Sequence, residues 1–376
     1  MKYIWECGSW PEFTWDSDAL LPLLGQARLS QGDFLGRVKR LGFKLGEEAQ
    51  AGILTEEAVK TAAIEGERLN PQAVRSSVAR HLGLPAAGLG PATRAVDGLI
   101  EVILDATQNY NKAVSAHRLK GWHAALFPSG YSGLHKIRAG RWRGKEPMRV
   151  VSGPVGREKI HFEAPAGQAV DAEMREFFRW WKSSLGAMEG LLRAGLAHFY
   201  FVVIHPFEDG NGRIARALTD MALAQDEKIG IRYYSLSSQI MEERDEYYDV
   251  LEKCSKAGST DATKWLIWFL GCYQRAVQRS DKIIGNVLAK ADFWQEHAQT
   301  ELNERQKKVL NRILEAGPGN FAGGLTTRKY VSMAKVSRAT AFREISDMLD
   351  KKLLRQLPGK GRSVHYDVMW PEGHGA

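Results

Sequence analysis

The strongest constraint on the fold is an apolar run that ends at a short polar segment. The run, AGLAHFYFVVI, covers residues 194–204, and the polar segment HPFEDGNGRIAR follows it at 205–216. A continuous apolar run of this length is typical of a helix that is buried on all sides. The stretch after the polar segment repeats apolar residues at helical spacing, at positions 214, 218, 221 and 222. The sequence therefore predicts two packed helices joined by a polar turn.

The polar turn contains the residue types that bind a polyphosphate. Gly210 and Gly212 allow backbone N–H groups to converge at the start of the second helix, and such a nest at a helix N-terminus binds anions. Arg213 and Arg216 are three positions apart on that helix and share a face. Both guanidinium groups can therefore reach one anion that carries several phosphates.

Two further residues of the turn supply chemistry. The imidazole of His205 can accept a proton from a hydroxyl group, and Asp209 offers hard oxygen ligands for Mg²⁺ between two phosphates. Together with the anion nest, they predict phosphoryl or nucleotidyl transfer from a nucleoside triphosphate. A calcium loop is excluded, because Arg213 stands where such a loop needs an oxygen ligand.

Segment 205–216 matches the signature of Fic domains, His-x-Phe-x-Asp/Glu-Gly-Asn-Gly-Arg-x-x-Arg, at every defined position. The resemblance extends over roughly residues 90–285. It includes two short alternating runs at 148–165 that resemble the target-docking flap of the family, with Ile160, His161 and Phe162 as flap residues. The resemblance implies a mainly α fold, a helical Fic core with a β-hairpin flap. It also implies AMP transfer from ATP to a Tyr, Thr or Ser hydroxyl of a target protein or of the chain itself.

The resemblance also implies a role for each matching position. His205 would be the general base, Phe207 would fill the core under the loop, and Asp209 would hold Mg²⁺ on the α- and β-phosphates. ATP would be bound by the following groups: the anion hole of Gly210, Asn211 and Gly212, Arg213 on the phosphates, Arg216 on the γ-phosphate, and Tyr248 at the adenine pocket. For Tyr247 and Tyr248, packing in the core is an equal alternative.

A second motif lies far upstream of the first. TAAIEGE at 61–67 resembles the Ser/Thr-x-x-x-Glu-Gly-Asn inhibitory helix of the same family, with Thr61, Glu65 and Gly66 matching and Glu67 where Asn is usual. The resemblance implies that Glu65 pairs with Arg216 and holds ATP in an unproductive pose. The helix is predicted over 55–66, with Thr55 as its N-cap.

The rest of the chain divides into three predicted regions. Residues 1–85 form an N-terminal helical region, in which 1–16 are a small hairpin or an extended cap and Pro71 starts a new helix. A Gly/Pro/Ala-rich joint at 83–94 precedes the Fic catalytic domain at 86–285, whose helices are interrupted once, by the hairpin at 148–165. Within this domain, His198 and the stripe Trp265, Trp268 and Phe269 are predicted to be core residues.

Residues 300–372 are predicted to form a winged helix-turn-helix domain. A helix, a helix-turn-helix and two strand-like runs around a basic turn follow one another in that order. Segment 337–349 would be the recognition helix, and Lys360 and Arg362 would form the wing. Residues 301–376 contain fourteen Lys/Arg and eight Asp/Glu. This basic charge fits DNA binding or an ordinary solvated face.

Composition limits the remaining alternatives. The chain has 376 residues, of which 44% are hydrophobic and 26% charged, and it contains no apolar run near the ~18 residues of a membrane span. The start lacks the apolar segment of a signal peptide, and Cys7, Cys254 and Cys272 fit neither a disulfide framework nor a zinc site. We therefore expect a cytoplasmic protein, with a homodimer left open. The alternative function is a DNA-binding regulator whose Fic core senses nucleotide or transfers or removes another phosphate-bearing group.

Overall fold

A computed structural model of the chain describes residues 2–39, 43–84, 91–152, 159–319, 321–358 and 364–371. The protein is mainly α, as predicted, and the described part contains fourteen α-helices and three two-stranded hairpins. None of the described helices combines the length and the apolar character that a membrane crossing requires. The chain divides into two compact units, Met1–Gly36 with Gly46–Arg279 and Arg37–Leu45 with Ser280–Ala376.

Most of the helices precede residue 300, and short antiparallel hairpins lie between them. The helices are α1 (Ser17–Val38), α2 (Phe43–Ile64), α3 (Pro71–His81), α4 (Arg94–Gln108), α5 (Ala116–Leu126), α6 (Val170–Ser184), α7 (Gly190–Ile204), α8 (Asn211–Glu227), α9 (Leu236–Glu242), α10 (Arg244–Ser255) and α11 (Thr263–Glu296). The strands are β1 (Tyr131–Ser132), β2 (His135–Lys136), β3 (Arg149–Ser152) and β4 (Lys159–Glu163), which pair as β1 with β2 and β3 with β4.

Helices α7 and α8 form the centre of the first unit and pack against each other. Every residue of α7 except Gly190 and Val202 is buried, which accounts for its continuous apolar sequence. Helix α8 packs on α7, α4 and α5 and is buried from Arg213 to Ala224. The polar turn between α7 and α8 is therefore held by helices that cannot shift without opening the core.

The predicted core residues are confirmed. Trp265, Trp268 and Phe269 are buried, and the indole of Trp265 donates a 2.8 Å hydrogen bond to the carbonyl of Gly195 in α7. His198 is buried and satisfied on both ring nitrogens, by Thr219 Oγ1 at 3.0 Å and the Tyr247 hydroxyl at 2.9 Å. Burial lowers the pKa of His198 to about 3, so it is a neutral core residue.

The predicted start of the inhibitory helix is wrong. Helix α2 begins at Phe43, and Thr55 lies in its interior, where its hydroxyl donates to the carbonyl of Ala51 at 2.7 Å. A threonine bonded to the preceding turn cannot cap the helix. The end near Gly66 is confirmed, because α2 stops at Ile64 and Gly66 has a φ of +85°. The restart at Pro71 is also confirmed, with Asn70 as the N-cap.

The helices from α4 to α11 are interrupted by two described hairpins, where the sequence predicted one. The β1–β2 hairpin at 131–136 precedes the predicted hairpin of β3 and β4. Helix α11 continues to Glu296, beyond the predicted domain end at residue 285. Residues 2–16 contain a 3-10 turn at Ile4–Glu6 and one bridge from Thr14 to Asp261, without a hairpin. This segment is a cap on α7, where the rings of Trp10 and Tyr200 meet edge to face at 5.1 Å.

The second unit contains the predicted order of helices and strands. Its elements after α11 are α12 (Glu304–Ala316), α13 (Thr327–Ala334), α14 (Arg338–Asp350) and the antiparallel strands β5 (Leu354–Gln356) and β6 (Tyr366–Val368). A core that includes Leu310, Tyr330, Ile345 and Val368 joins them. The predicted wing residues Lys360 and Arg362 and most of the joint at 83–94 lie outside the described residues. The winged-helix assignment remains a prediction.

The close contact between α4 and α5 can be tested at one glycine. A methyl group at Gly98 would collide with the backbone carbonyl of Ala125. Gly98→Ala should therefore lower the free energy of unfolding by about 1–3 kcal/mol, because the helices must separate. The matched control is Gly121→Ala in α5, where nothing lies within 4 Å, and it should be neutral or stabilising by up to about 1 kcal/mol. Urea denaturation followed by circular dichroism measures both. Equal effects of the two changes would contradict the proposed contact.

Candidate active site

Two residues with positive φ shape the loop between α7 and α8. His205 ends α7 with a φ of 51°, and its N–H bonds to the carbonyl of Phe201 at 3.0 Å. Gly210 precedes α8 with a φ of 74°, and a methyl group there would lie 2.8 Å from the ring of Phe127. A left-handed conformation is costly for a residue other than glycine. The loop therefore holds His205 in a conformation that the surrounding structure must impose.

Asn211 and Phe207 lock the loop from inside. The Asn211 amide accepts from the Phe207 N–H and donates to the Phe207 carbonyl, both at 2.9 Å. The Phe207 ring is fully buried and stacks on His123 with a centroid separation of 4.1 Å. Phe207 thus fills the core under the loop. Because the Asn211 side chain is used in this way, the backbone N–H groups of the first turn of α8 are the part of the predicted anion hole that can face a ligand.

His123 and Ser132 position Asp209 and were missed by sequence reasoning. His123 Nδ1 accepts from the Gly140 N–H at 2.9 Å, so Nε2 carries the proton and donates to the Asp209 carbonyl at 3.2 Å. Burial lowers the pKa of His123 to about 4, which keeps this arrangement neutral. The Asp209 carboxylate accepts from the Ser132 hydroxyl and from the Gly210 N–H at 2.6 Å. No local pattern in the sequence links these positions.

The His205 side chain is arranged as a base. Its Nδ1 lies 3.2 Å from the carbonyl of Val202, which can only accept, so Nδ1 carries the proton and Nε2 has a free lone pair. Burial lowers the pKa of His205 to about 4, and the positive charge of Arg143 acts in the same direction. The imidazole is therefore neutral at physiological pH. His205 also lines a cavity of the first unit.

Arg143 fixes the backbone on both sides of the imidazole. Its Nε donates to the His205 carbonyl at 2.7 Å, its own N–H donates to the Pro206 carbonyl at 2.8 Å, and its Nη2 donates to the Pro165 carbonyl after β4. The guanidinium is buried, and burial lowers its pKa. Arg143 thereby joins the loop between α7 and α8 to the flap. Its position, more than sixty residues before His205, gave no signal in the sequence.

The structure brings together Glu65 and Arg216, which are 151 positions apart. Arg216 Nη2 donates to Glu65 Oε1 at 2.7 Å, and its Nε donates to the Thr61 hydroxyl at 2.6 Å. Burial lowers the pKa of Arg216, but the carboxylate of Glu65 more than offsets this, and the pKa is raised. The Glu65 carboxylate also lies against Gly212, where a methyl group would collide with Oε1. Glu65 therefore occupies space directly above the anion nest.

Arg213 has a carboxylate partner that the sequence did not predict. Its Nη1 donates to Glu67 Oε2 at 2.9 Å. The Arg213 side chain is 6% exposed and lies over the ring of Phe127, with Cζ 4.8 Å from the centroid. The sign of this ion pair in the sequence was Glu67, an acidic residue at the position where the inhibitory motif usually has Asn.

A cavity of about 470 Å³ opens beside these groups. Its lining includes His205, Gly212, Glu65, the flap residues His161 and Phe162, and the α10 residues Arg244, Tyr247 and Tyr248. Arg244 Nε and the Tyr248 hydroxyl both donate to the carbonyl of Ile64, at 3.0 Å and 3.3 Å. The wall of the cavity is thus bonded to the end of α2. Tyr247 is buried and Tyr248 is partly exposed, so of these two residues Tyr248 is the accessible one.

The flap strand β4 lies along the cavity and is held from two sides. His161 Nδ1 lies 2.5 Å from Glu252 Oε2 in α10, and Lys256 Nζ, from the residue that caps α10, donates to the Ile160 carbonyl at 3.1 Å. On the other side, the Phe162 ring meets Tyr3 edge to face at 5.5 Å. Ile160 itself is exposed. The three flap residues are therefore present beside the site, with Ile160 facing outward.

The residues fit a bound polyphosphate. Arg213 Nε and Arg216 Nη1 are buried and have no hydrogen-bond partner among the described residues, and buried donors of this kind are normally satisfied. Elsewhere in the described part of the chain, no group of three or more His, Cys, Asp or Glu side chains is arranged to hold a metal. A Mg²⁺ ion bound through one carboxylate and substrate phosphates needs no such group. Asp209 would be that carboxylate.

Comparison with known proteins assigns part of the chain to a family. Residues 113–223 match the family model described as Fic/DOC family, and residues 3–84 match a domain of unknown function, DUF4172. A crystal structure of a Fic family protein from Desulfovibrio desulfuricans superposes with a TM-score of 0.54 at 18% identity, and the match covers 97% of this chain and 99% of that chain. At this identity the likeness concerns the fold.

Two curated relatives match over shorter stretches. "Protein adenylyltransferase Fic" from Nematostella vectensis is 29% identical over 146 residues, which is 38% of this chain and 29% of that protein. "Protein adenylyltransferase fic-1" from Caenorhabditis briggsae is 36% identical over 78 residues, 20% of this chain and 15% of that protein. The chain thus spans less than a third of either relative. It contains a Fic/DOC family domain at residues 113–223, and the segment 205–216 lies near the C-terminal end of this match.

The protonation state of His205 gives a direct test of the site. Because burial lowers its pKa to about 4, the imidazole should stay neutral as the pH falls from 8 to 5 and should gain a proton only near pH 4. Histidine Cε1 chemical shifts followed by NMR measure this, and His205→Ala assigns the resonance by its loss. Circular dichroism must show a folded protein over the range. A titration midpoint at or above pH 6 would contradict the proposed environment.

Proposed function

We propose that the protein is an adenylyltransferase that moves AMP from ATP to a hydroxyl group of a protein, and that Glu65 inhibits this reaction. The observation that carries the proposal is one cavity lined by a neutral His205, by Gly212 at the start of α8 and by Glu65. The buried guanidinium groups of Arg213 and Arg216 lie directly beside this lining, since Arg213 follows Gly212 and Arg216 is bonded to Glu65. A base beside a polyphosphate site is what nucleotidyl transfer requires. The two relatives named protein adenylyltransferases support the same activity, and the match covers part of their length.

The reaction follows from the positions of these groups. His205 Nε2 takes the proton of a Tyr, Thr or Ser hydroxyl, and the hydroxyl oxygen attacks the α-phosphorus of ATP. The bond from the α-phosphorus to the bridging oxygen breaks, and pyrophosphate leaves with both electrons of that bond. The first-turn N–H groups of α8 and the side chain of Arg213 stabilise the negative charge that develops on the phosphates. Mg²⁺ held by Asp209 would neutralise further charge on the phosphates.

The flap determines which hydroxyl can reach His205. Strand β4 is fixed against α10 and the N-terminal segment, and its residues His161 and Phe162 line the same cavity as His205. A target that lies along this strand would present its side chain at the mouth of the cavity. The substrate would therefore be a protein segment, either of a second protein or of the chain itself.

Inhibition follows from competition for Arg216. The Glu65 carboxylate takes two roles that a γ-phosphate would otherwise have, since it neutralises Arg216 and occupies the space over Gly212. ATP that enters while Glu65 stays in place must hold its phosphates elsewhere, and a misplacement of about 1 Å can cost about 10²-fold in rate. Helix α2 would have to move or lose Glu65 before transfer becomes fast.

Replacing Glu65 tests both halves of this proposal. Glu65→Gly should raise incorporation of label from α-labelled ATP into protein by roughly 10- to 100-fold, because Arg216 becomes available for the phosphate. Label at the γ position should stay absent from the protein, since pyrophosphate leaves.

Two controls make the result specific. Adding His205→Ala to Glu65→Gly should reduce incorporation by about 10²- to 10⁴-fold through loss of the base, and adding Arg216→Ala should remove the gain. Unchanged α-label incorporation in Glu65→Gly protein that binds ATP would rule out inhibition by Glu65. Incorporation of γ-label would instead indicate phosphorylation.

A second candidate function, DNA binding, rests on the surface of α14. The exposed positions in its first half are Arg338, Ala339, Phe342 and Arg343, and Phe342 is 65% exposed. The acidic Glu344 points the other way and is bonded to Arg305 and Tyr330. A helix face with arginines and small or apolar side chains, and without carboxylates, fits the major groove of DNA.

The salt dependence of binding tests this second function. The 376-residue chain should bind duplex DNA with an affinity that falls steeply as salt rises. A variant with Arg338→Ala and Arg343→Ala should bind more weakly, and its log–log salt slope should be shallower by about 2, since two phosphate contacts are lost. The control Lys307→Ala changes an exposed lysine that is already paired with Glu304. Binding that does not depend on salt, or that is equal in the double variant, would argue against DNA.

A further inference from the structure

The turn that ends α2 presents two carboxylates to the site. The Glu67 N–H bonds to the Ala62 carbonyl and the Gly66 N–H bonds to the Ala63 carbonyl, both at about 3.0 Å. This pair of bonds, with Gly66 in the left-handed region at a φ of +85°, is a Schellman turn. The turn reverses the chain at Gly66, and the side chains of Glu65 and Glu67 on either side of it both reach α8.

Each carboxylate contacts a different arginine of α8. Glu65 contacts Arg216 at 2.7 Å and Glu67 contacts Arg213 at 2.9 Å. Because Arg213 is buried and stacked on Phe127, its guanidinium has little freedom to turn elsewhere. The ion pair therefore forms where the guanidinium of Arg213 is held, and the Glu67 side chain extends to it while remaining 47% exposed.

We propose that Glu67 is a second determinant of nucleotide binding, whose carboxylate takes the place of a phosphate oxygen at Arg213. The inference rests on the proposed use of ATP by this site. The inference gives the turn a second role, because its two carboxylates then pair with both arginines that would otherwise bind phosphate. The turn lowers the affinity for the polyphosphate itself, in addition to the effect of Glu65 on its pose.

The size of the effect follows from the burial of the pair. A nucleotide phosphate can bind Arg213 Nη1 only after Glu67 has left, and any carboxylate that remains nearby repels the phosphates. Glu67 is half exposed and can turn into water, so the ion pair is weaker than one that is fully buried. We therefore expect a moderate change in affinity, roughly three- to tenfold, and not a complete block of binding.

The alternative is that Glu67 and Arg213 form an ordinary surface ion pair with no influence on nucleotide. Many such pairs contribute almost nothing. The two explanations differ in a measurable way, because only a carboxylate that competes with phosphate will distinguish ATP from adenosine. Adenosine fills the base and ribose part of the cavity and has no group for Arg213.

The experiment measures binding without chemistry. Dissociation constants for ATP with Mg²⁺ and for adenosine are determined by isothermal titration calorimetry on the 376-residue chain carrying His205→Ala, which prevents turnover. Glu67→Gln in this background should tighten ATP binding roughly three- to tenfold and leave adenosine binding unchanged. Glu67→Ala, which also removes the hydrogen bond, should tighten ATP binding at least as much.

Two control variants define what would overturn the inference. Glu12→Gln, which removes an exposed carboxylate elsewhere in the first unit, should leave both constants unchanged. Arg213→Ala should cancel the gain of Glu67→Gln. The inference is wrong if Glu67→Gln leaves the ATP constant unchanged, if adenosine tightens equally, or if the gain survives without Arg213. Because no transfer is measured, tighter ATP binding together with an absence of α-label incorporation in Glu65→Gly protein would reject AMP transfer and retain this role of Glu67.

Discussion

In the candidate active site, two buried guanidinium groups must be paired with negative charge. Arg213 and Arg216 lie on the first turn and a half of α8 with almost no exposed surface, and an unpaired charge in such a place is strongly destabilising. The chain meets this need from a distance, with the two glutamates that flank Gly66. Any ligand that takes over the arginines must supply equivalent negative charge. The same electrostatic requirement thus stabilises the resting site through the two glutamates and favours binding of an anionic ligand in their place.

The surroundings of the loop keep the other groups in the states that this chemistry requires. Arg143 holds the His205 backbone through carbonyl groups and has no carboxylate of its own in its hydrogen bonds, so its charge helps to keep the imidazole neutral. His123, neutral and fully buried, binds the Asp209 carbonyl and supports the Phe207 ring. His205 and Asp209 are therefore held in place by residues from distant segments of the chain.

Local patterns predicted the parts of this arrangement that depend on neighbouring residues. The continuous apolar sequence of α7 follows from burial on all sides, Gly210 fits its positive φ, and Gly212 leaves room for the Glu65 carboxylate. The same reasoning misplaced the start of α2, because Thr55 is a good N-cap residue whose hydroxyl is instead satisfied inside the helix by Ala51. The two-residue strands at 131–136 were missed, since so short a pairing leaves no alternation to detect.

The sequence by itself determined the helical fold of the first unit, the loop with its histidine, carboxylate and arginines, and the resemblance that linked Glu65 to Arg216. These features are encoded in contiguous residues, where spacing and residue type are sufficient. Only the tertiary structure decided that Glu67 contacts Arg213, that Arg143 holds His205, and that the wall of α10 is bonded to the end of α2. Each of these contacts joins segments separated by between sixty and two hundred residues. Their energies depend on burial and on the direction of individual N–H groups, which a linear pattern does not contain.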